Sequence, residues 1–339
     1  MNAFLADVAG AILAGGPGAD RDTAAQLLQA SSGERIYDLF YWANRIRLAR
    51  VGPRIRFCAI AGGKVGLCSE DCAFCGQSAQ HPAATSTKPS RLSHSQILAA
   101  ARKADQMGAY AFGIVNSGRG PSDADLERLA ATIKELAKRG KPLLCASLGI
   151  LSDSQAEKLY QLGVRRYNHN LETSRSFFPS VVTTHSYDDR LATLTAVKHA
   201  GMSLCCGGIF GLGESLEDRL DFAQTLAQVH PEEVPLNFLH PLEGTPLAGA
   251  TRLKPLEILQ IIALFRFVLP DAQIKVAGGR EPNLRDLQSW MFFAGASGCL
   301  VGDYLLTRGR SADDDRQMLS DLELTLDREL AGLGHEVKA

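Results

Sequence analysis

The sequence predicts an α/β protein, a (β/α)8 TIM-type barrel behind an N-terminal helical extension, and three observations lead there. From residue 55 onward, short apolar runs alternate with amphipathic helical stretches. Eight such runs spread over about 250 residues, the count and span of a closed eight-stranded barrel. Several helical stretches open on a serine that suits an N-cap: Ser93, Ser122, Ser152 and Ser215. A doubly wound open sheet is the alternative, but it normally has fewer strands.

Taken in order, residues 1–53 form the extension. Ala24–Ala30 and Ile36–Ala49 place Leu, Ile and aromatic residues at helical spacing. Arg45, Arg47 and Arg50 are expected on a solvated helix face. The barrel is expected over 54–322, with strands at Ile55–Ala61, Tyr110–Asn116, Leu143–Leu148 and Val164–Leu171, then Ser203–Phe210, Val234–Leu239, Gln273–Ala277 and Cys299–Val301. Helices are expected at about 94–107, 122–139, 152–162, 187–201, 215–229, 254–268 and 284–296. The last thirty residues read as a peripheral helix, with 323–339 as a C-terminal tail.

Composition narrows the class. The 339 residues are 45% hydrophobic and 22% charged, enough for one large domain or two ordinary ones. With 36 Lys+Arg against 37 Asp+Glu, there is no electrostatic case for nucleic acid or an anionic membrane. No apolar run approaches the roughly 18 residues a membrane span needs. The opening MNAFLADVAGAILAGG has no basic stretch ahead of its apolar one, so a signal peptide is not expected and the chain reads as soluble and cytoplasmic.

Eight cysteines, in a chain of this kind, suggest metal binding or chemistry before disulfides. Three of them, Cys68, Cys72 and Cys75, fall in C-x3-C-x2-C after the first predicted strand. Three thiolates on one loop can face a common point, and thiolates suit iron–sulfur centres. A zinc site would add a fourth ligand, for which His81 is the only nearby candidate, at an unusual spacing. In a barrel, chemistry belongs at the C-terminal strand ends and the loops after them.

This motif, with Phe74 before the last cysteine, resembles the radical S-adenosylmethionine superfamily. The resemblance implies a 4Fe–4S cluster whose open iron chelates S-adenosylmethionine. An electron from the reduced cluster then cleaves that cofactor to methionine and a 5′-deoxyadenosyl radical. Further stretches resemble the biotin synthases from about Arg54 to Leu322: Tyr167–Ser174, Cys205–Glu214, Val234–Leu239, Gly244-Thr-Pro246 and Gly278–Glu281. That likeness implies dethiobiotin as substrate, a flavodoxin- or ferredoxin-type reductant and a homodimer.

By the same resemblance, Asn168 and Asn237 contact dethiobiotin, whose ureido ring suits side-chain amides. Asn170 and Glu172 resemble the residues that hold the cofactor's ribose, where many relatives have Asp at 172. Arg190 matches an arginine near the methionine carboxylate. Ile209 belongs to the Gly207-x-Ile209-x-Gly211-x-x-Glu214 element near the adenine.

The chain also departs from the family pattern. Relatives hold an auxiliary 2Fe–2S cluster by three Cys and one Arg. Cys145 and Cys205 match two of these positions, but Gly113 and Lys275 stand at the other two, and Ala111 at a further position that can be Arg. A gained cysteine, Cys58, faces the vacated region. The expectation is a different auxiliary cluster on Cys58, Cys145 and Cys205, of four irons with an extra sulfide as sulfur donor. Cys206 stands as the alternative to Cys205, and Lys275 as an electrostatic partner for an anionic cluster. Buried packing cysteines, with no second cluster, is the plainer reading. A related radical enzyme with another substrate, such as a hydrogenase maturase, and a non-catalytic iron–sulfur electron carrier are the alternatives for function.

Overall fold

The computed structural model describes residues 2–85 and 88–329. Three helices precede the barrel: α1 (Ala3–Leu13), α2 (Arg21–Ala30) and α3 (Ile36–Arg50). The strands are β1 (Arg56–Val65), β2 (Ser90–Arg91), β3 (Ala111–Asn116), β4 (Leu143–Ser147), β5 (Arg166–Asn168), β6 (Ser203–Cys205), β7 (Gly208–Phe210), β8 (Glu233–Phe238), β9 (Gln273–Val276) and β10 (Gly298–Leu300). The helices around them are α4 (His94–Gln106), α5 (Asp123–Arg139), α6 (Asp153–Leu162), α7 (Tyr187–His199), α8 (Leu216–Val229) and α9 (Pro255–Val268), then the short α10 (Arg280–Leu284) and α11 (Trp290–Phe293), and last α12 (Ala312–Asp321).

The barrel is closed and parallel, running β1, β3, β4, β5, β6, β8, β9 and β10, with β10 paired back onto β1. Cys58 thereby lies opposite Ala111 on one side and Leu300 on the other. The small β2 pairs antiparallel with the end of β1. Local sequence explains the helix starts: Ser93, Ser122, Ser152, Ser186 and Ser215 each close a capping box. Gly140 and Gly163 end α5 and α6 in the left-handed region.

The fifth predicted strand, Ser203–Phe210, is two strands, β6 and β7, broken at Cys206-Gly207. The partner strand carries Pro235, which has no N–H for a ladder. The Pro235 carbonyl also comes so close that a Cβ on Gly207 would sit 2.0 Å from it. The chain from Leu171 to Glu172 fills the break, donating to Gly207 O, while Glu172 O accepts from Ile209 N at 2.8 Å.

Two further expectations change. The helix expected at 284–296 is α10, a 3-10 turn and α11, because Arg285 takes a φ of 50° and interrupts the run. Arg47 is not on a solvated face. It is 2% exposed and donates to Asn44 Oδ1 and the Gly52 carbonyl, while Arg50 pairs with Asp271 at 2.7 Å. The first residues of the 323–339 segment run beside the start of β1, where Ile55 N donates to Thr325 O and Asp327 N to Ile55 O, both at 2.8 Å. Residues 330–339 lie outside the described residues.

Two apolar regions result. The larger one lies between barrel and helices and includes Phe57, Phe112, Tyr167 and Cys206. The smaller one lies inside the barrel and includes Cys58, Tyr110, Ala111, Leu143, Cys145 and Leu300. This division follows from strand alternation, which sends neighbouring side chains to opposite faces. Among the described residues no helix is long and apolar enough to cross a membrane.

Candidate active site

A cavity of about 490 Å³ opens at the C-terminal ends of the barrel strands. Asn116, Ser147, Asn168 and Phe238, each closing or nearly closing its strand, line it together with Cys68, Cys72 and Cys75. A larger groove of about 890 Å³, between the N-terminal helices and the 268–272 turn, holds none of the cysteines.

The cysteine loop follows β1. Gly66 and Leu67, both at positive φ, turn the chain, and Cys68 bridges to Ser78. Cys68 N donates to Gln77 O at 2.9 Å and Cys68 O accepts from Ala79 N at 2.8 Å, so the loop is closed at its base. Asp71 fastens it from outside by accepting from the backbone N–H groups of Thr183 and Thr184 at 3.0 and 3.2 Å. All eight cysteines are free thiols. Burial pushes the Cys72 thiol up to about 12, Arg190 pulling the other way. His81 does not join the cysteines, because its Nε2 lies 3.1 Å from the carbonyls of both Asp71 and Cys72, which requires it to donate.

Beside the loop stands a second group. Asn170 donates to Glu172 Oε2 at 3.3 Å and accepts from Gly207 N at 3.2 Å. Arg190 Nη1 donates to Asn170 O at 2.7 Å and reaches Glu172 Oε1 at 3.4 Å. Burial raises the Glu172 carboxyl above its usual range, against the pull of Arg190. Glu172 sits at φ 71°, which turns its side chain back toward Arg190. Ile209, half-buried on β7, lines the same cavity.

The two asparagines differ. Asn168 Oδ1 is buried with no hydrogen-bond partner among the described residues, an orphan acceptor on the cavity wall. Asn237 is engaged by its own fold: it donates to Gly208 O at 3.0 Å and accepts from Gly278 N at 2.8 Å.

Deeper in the barrel, the structure brings Cys58, Cys145, Cys205 and Lys275 to one charged centre. Its hub is Glu233, the first residue of β8, which sequence reasoning missed. Glu233 is paired with Arg166 and lies 3.0 Å from Lys275 Nζ. Cys58 Sγ donates to Glu233 Oε1 at 3.2 Å. Burial pushes the Glu233 carboxyl up, but Lys275 and Arg166 outweigh it and bring it down to about 2. Burial likewise lifts Cys145 to about 12 and Cys205 to about 11. Cys205 lies against Lys275, whereas Cys206 packs into the outer apolar region. The signal for the missed residues was weak: Arg166 stands beside Arg165 and Glu233 beside Glu232, at the starts of β5 and β8. Glu70 and His185, also missed, lie in loops and face each other at 2.5 Å.

The Radical SAM superfamily profile matches residues 65–226, and that of the Biotin and Thiamin Synthesis associated domain matches 235–325. A biotin synthase of Heliobacterium modesticaldum is 48% identical over 318 residues, 94% of this chain and 95% of that protein. One of Citrifermentans bemidjiense is 45% identical over 96% of this chain and 98% of its own length. Crystal structures of methylornithine synthase (TM-score 0.82, 19% identity, 95% of this chain and 97% of that one) and of the FeFe-hydrogenase maturase HydG from Carboxydothermus hydrogenoformans (0.81, 19%, 96% and 80%) share the fold. Near-complete coverage at such identity, with both domain profiles in place over the described barrel, means that this chain belongs to the biotin synthase family of radical S-adenosylmethionine enzymes.

Proposed function

We propose that this enzyme converts dethiobiotin to biotin, with its sulfur drawn from an auxiliary iron–sulfur cluster of a kind unlike the usual 2Fe–2S one. The observation that carries the substrate reading is the orphan Asn168 Oδ1, a buried acceptor on the cavity wall that suits a ureido N–H. Bound together, the 4Fe–4S cluster, S-adenosylmethionine and the auxiliary cluster supply the electron, the hydrogen-abstracting 5′-deoxyadenosyl radical and the sulfur.

The residues present suit these groups. Cys68, Cys72 and Cys75 lie on one tied-down loop facing the cavity and would hold the 4Fe–4S cluster. Asn170 and Glu172 would bind the ribose hydroxyls of S-adenosylmethionine, Arg190 its carboxylate, and Ile209 would pack on its adenine. Asn168 and Asn237 would orient dethiobiotin, the second with its amide already locked by Gly208 and Gly278.

Cys58, Cys145 and Cys205 would hold the auxiliary cluster, which we assign as four irons with an extra sulfide. The donor set supports this. Gly113 removes the usual cysteine, Lys275 cannot imitate a guanidinium ligand, and Cys58 sits in register with the small Ala111. Arg166 and Lys275 against the single Glu233 leave a net positive charge among the three thiols, favourable for an anionic cluster. A flavodoxin- or ferredoxin-type reductant, a homodimer and a cytoplasmic location complete the reading.

One anaerobic reaction tests it: protein reconstituted with iron and sulfide, S-adenosylmethionine, a strong reductant and dethiobiotin, read by mass spectrometry. Biotin with 5′-deoxyadenosine is the expected result. Deoxyadenosine without biotin or any dethiobiotin-derived intermediate would keep the radical chemistry and overturn the substrate.

A further inference from the structure

Arg190 reaches the cavity from α7, and its guanidinium is held on two sides. Nη1 donates to the Asn170 carbonyl at 2.7 Å and Nε donates to His185 Nε2 at 3.0 Å. Nη2 has no hydrogen-bond partner among the described residues, while Arg190 lines the cavity with Cys72 and Glu172. A guanidinium can only donate, so His185 Nε2 must be the unprotonated nitrogen of a neutral ring. Its proton is then on Nδ1, which lies 2.5 Å from Glu70 Oε2 and donates to it. Thr184 Oγ1 donates to the same carboxylate at 2.8 Å, fixing Glu70 in turn.

The chain Glu70–His185–Arg190 is buried throughout, with side-chain exposures of 7%, 4% and 9%. Phe178 packs against both of its later members, edge-on to the His185 ring at 5.8 Å and with the Arg190 guanidinium carbon over its face at 5.4 Å. Glu70 stands between Cys68 and Cys72 in sequence, so the chain joins the cysteine loop to the arginine through one imidazole of fixed tautomer. A guanidinium is planar, and fixing Nε and Nη1 fixes where Nη2 points.

We propose that His185 is a positioning residue for S-adenosylmethionine: it accepts from Arg190 Nε, is itself oriented by Glu70, and so aims Arg190 Nη2 at the cofactor's carboxylate. The proposal rests on the reading of Arg190 as the carboxylate ligand. His185 touches neither substrate nor cofactor in this role. It sets an angle, and its loss lowers affinity for the carboxylate without emptying the cysteine loop.

The test uses reconstituted full-length enzyme under anaerobic conditions, with equilibrium dialysis against S-adenosylmethionine and against its decarboxylated form. Iron content and the EPR spectrum of the reduced cluster are read alongside. His185→Ala is expected to lose about tenfold in affinity for S-adenosylmethionine, with a smaller cofactor-induced EPR change. The same variant should bind the decarboxylated form as the parent does. His185→Gln, which keeps an acceptor for Arg190, should recover most of the loss. Equal loss for both compounds, or no loss for either, overturns the proposal. If His185→Ala takes up less iron, His185→Gln decides: selective retention of the carboxylate compound supports the proposal, and equal weakening overturns it. Arg190→Ala separates the two levels. If it weakens binding of both compounds equally or of neither, the carboxylate reading falls and takes the proposal with it. If it weakens only S-adenosylmethionine and His185→Ala does not, only His185 is overturned.

Discussion

Inside the barrel, the Lys275 ammonium stands 3.0 Å from the Glu233 carboxylate, both side chains less than a tenth exposed. Arg166 grips the same carboxylate from β5, so two cations share one anion. Removing the anion leaves both cations buried and unpaired. Glu233→Gln is therefore expected to cost the reduced apoprotein about 3–5 kcal/mol in urea unfolding. Adding Lys275→Met should return part of that, with a coupling on the order of 1–3 kcal/mol between the two changes. Additive effects would show that the pair does not act as a unit.

Cys58 donates to that same carboxylate, which places it in the charged centre and away from the cysteine loop. Cys58→Ser is expected to lose the auxiliary cluster's iron on reconstitution while the Cys68/Cys72/Cys75 cluster keeps its own. Mössbauer spectra and iron content per chain read the two clusters apart. Unchanged iron would sink the assignment of Cys58 as a ligand.

The two asparagines give a contrast that a contact list alone would not. Asn168 Oδ1 has no partner among the described residues, so Asn168→Ala should leave stability within about 0.5 kcal/mol of the parent. Its dethiobiotin affinity should fall about tenfold, the usual worth of one hydrogen bond in a dry site. Asn237→Ala removes bonds to Gly208 and Gly278 and should lower both stability and affinity. Isothermal titration and thermal unfolding on the same samples separate the cases. Equal stability losses would mean that Asn168 is structural too.

The barrel was legible because its signal is local: each strand is an apolar run bounded by a turn or a serine cap, and each cap closes over three residues. The cysteine loop was legible for the same reason, its ligand pattern fitting in eight residues from Cys68 to Cys75. What escaped depends on distant partners. The Gly207-Gly208 pair marks a weak point in the run, but the Pro235 carbonyl that presses on Gly207 comes from a strand distant in sequence. Glu233 escapes because the apolar run begins only at Val234, and a charge at a strand edge ordinarily faces water. Arg47 reads like its exposed neighbour Arg45 until the Gly52 carbonyl folds back on it. His185 and Glu70 meet across 115 residues of sequence, through loops with no periodicity to read.

Asp71 gives a pH dependence with a definite sign. Burial pushes its carboxyl up, but bonds from the Thr183 hydroxyl and from the backbone N–H groups of Thr183 and Thr184 outweigh it and hold it at about 2. An unfolded Asp titrates near ~3.9. The folded-state value is the lower one, so the stabilisation is fully present above the unfolded value and is lost as pH falls through the folded one. Asp71→Asn keeps the shape and removes the charge that these donors favour. The parent apoprotein should therefore exceed the variant in urea midpoint by a constant margin from about pH 7 to pH 5, and the margin should shrink between about pH 4 and pH 2. Amide exchange at Thr183 and Thr184 should quicken in the variant over the upper range, because those N–H groups lose their anionic acceptor. A margin that widened as the solution was acidified would contradict the lowered carboxyl, and with it the view that Asp71 clamps the cysteine loop to the segment leading into α7.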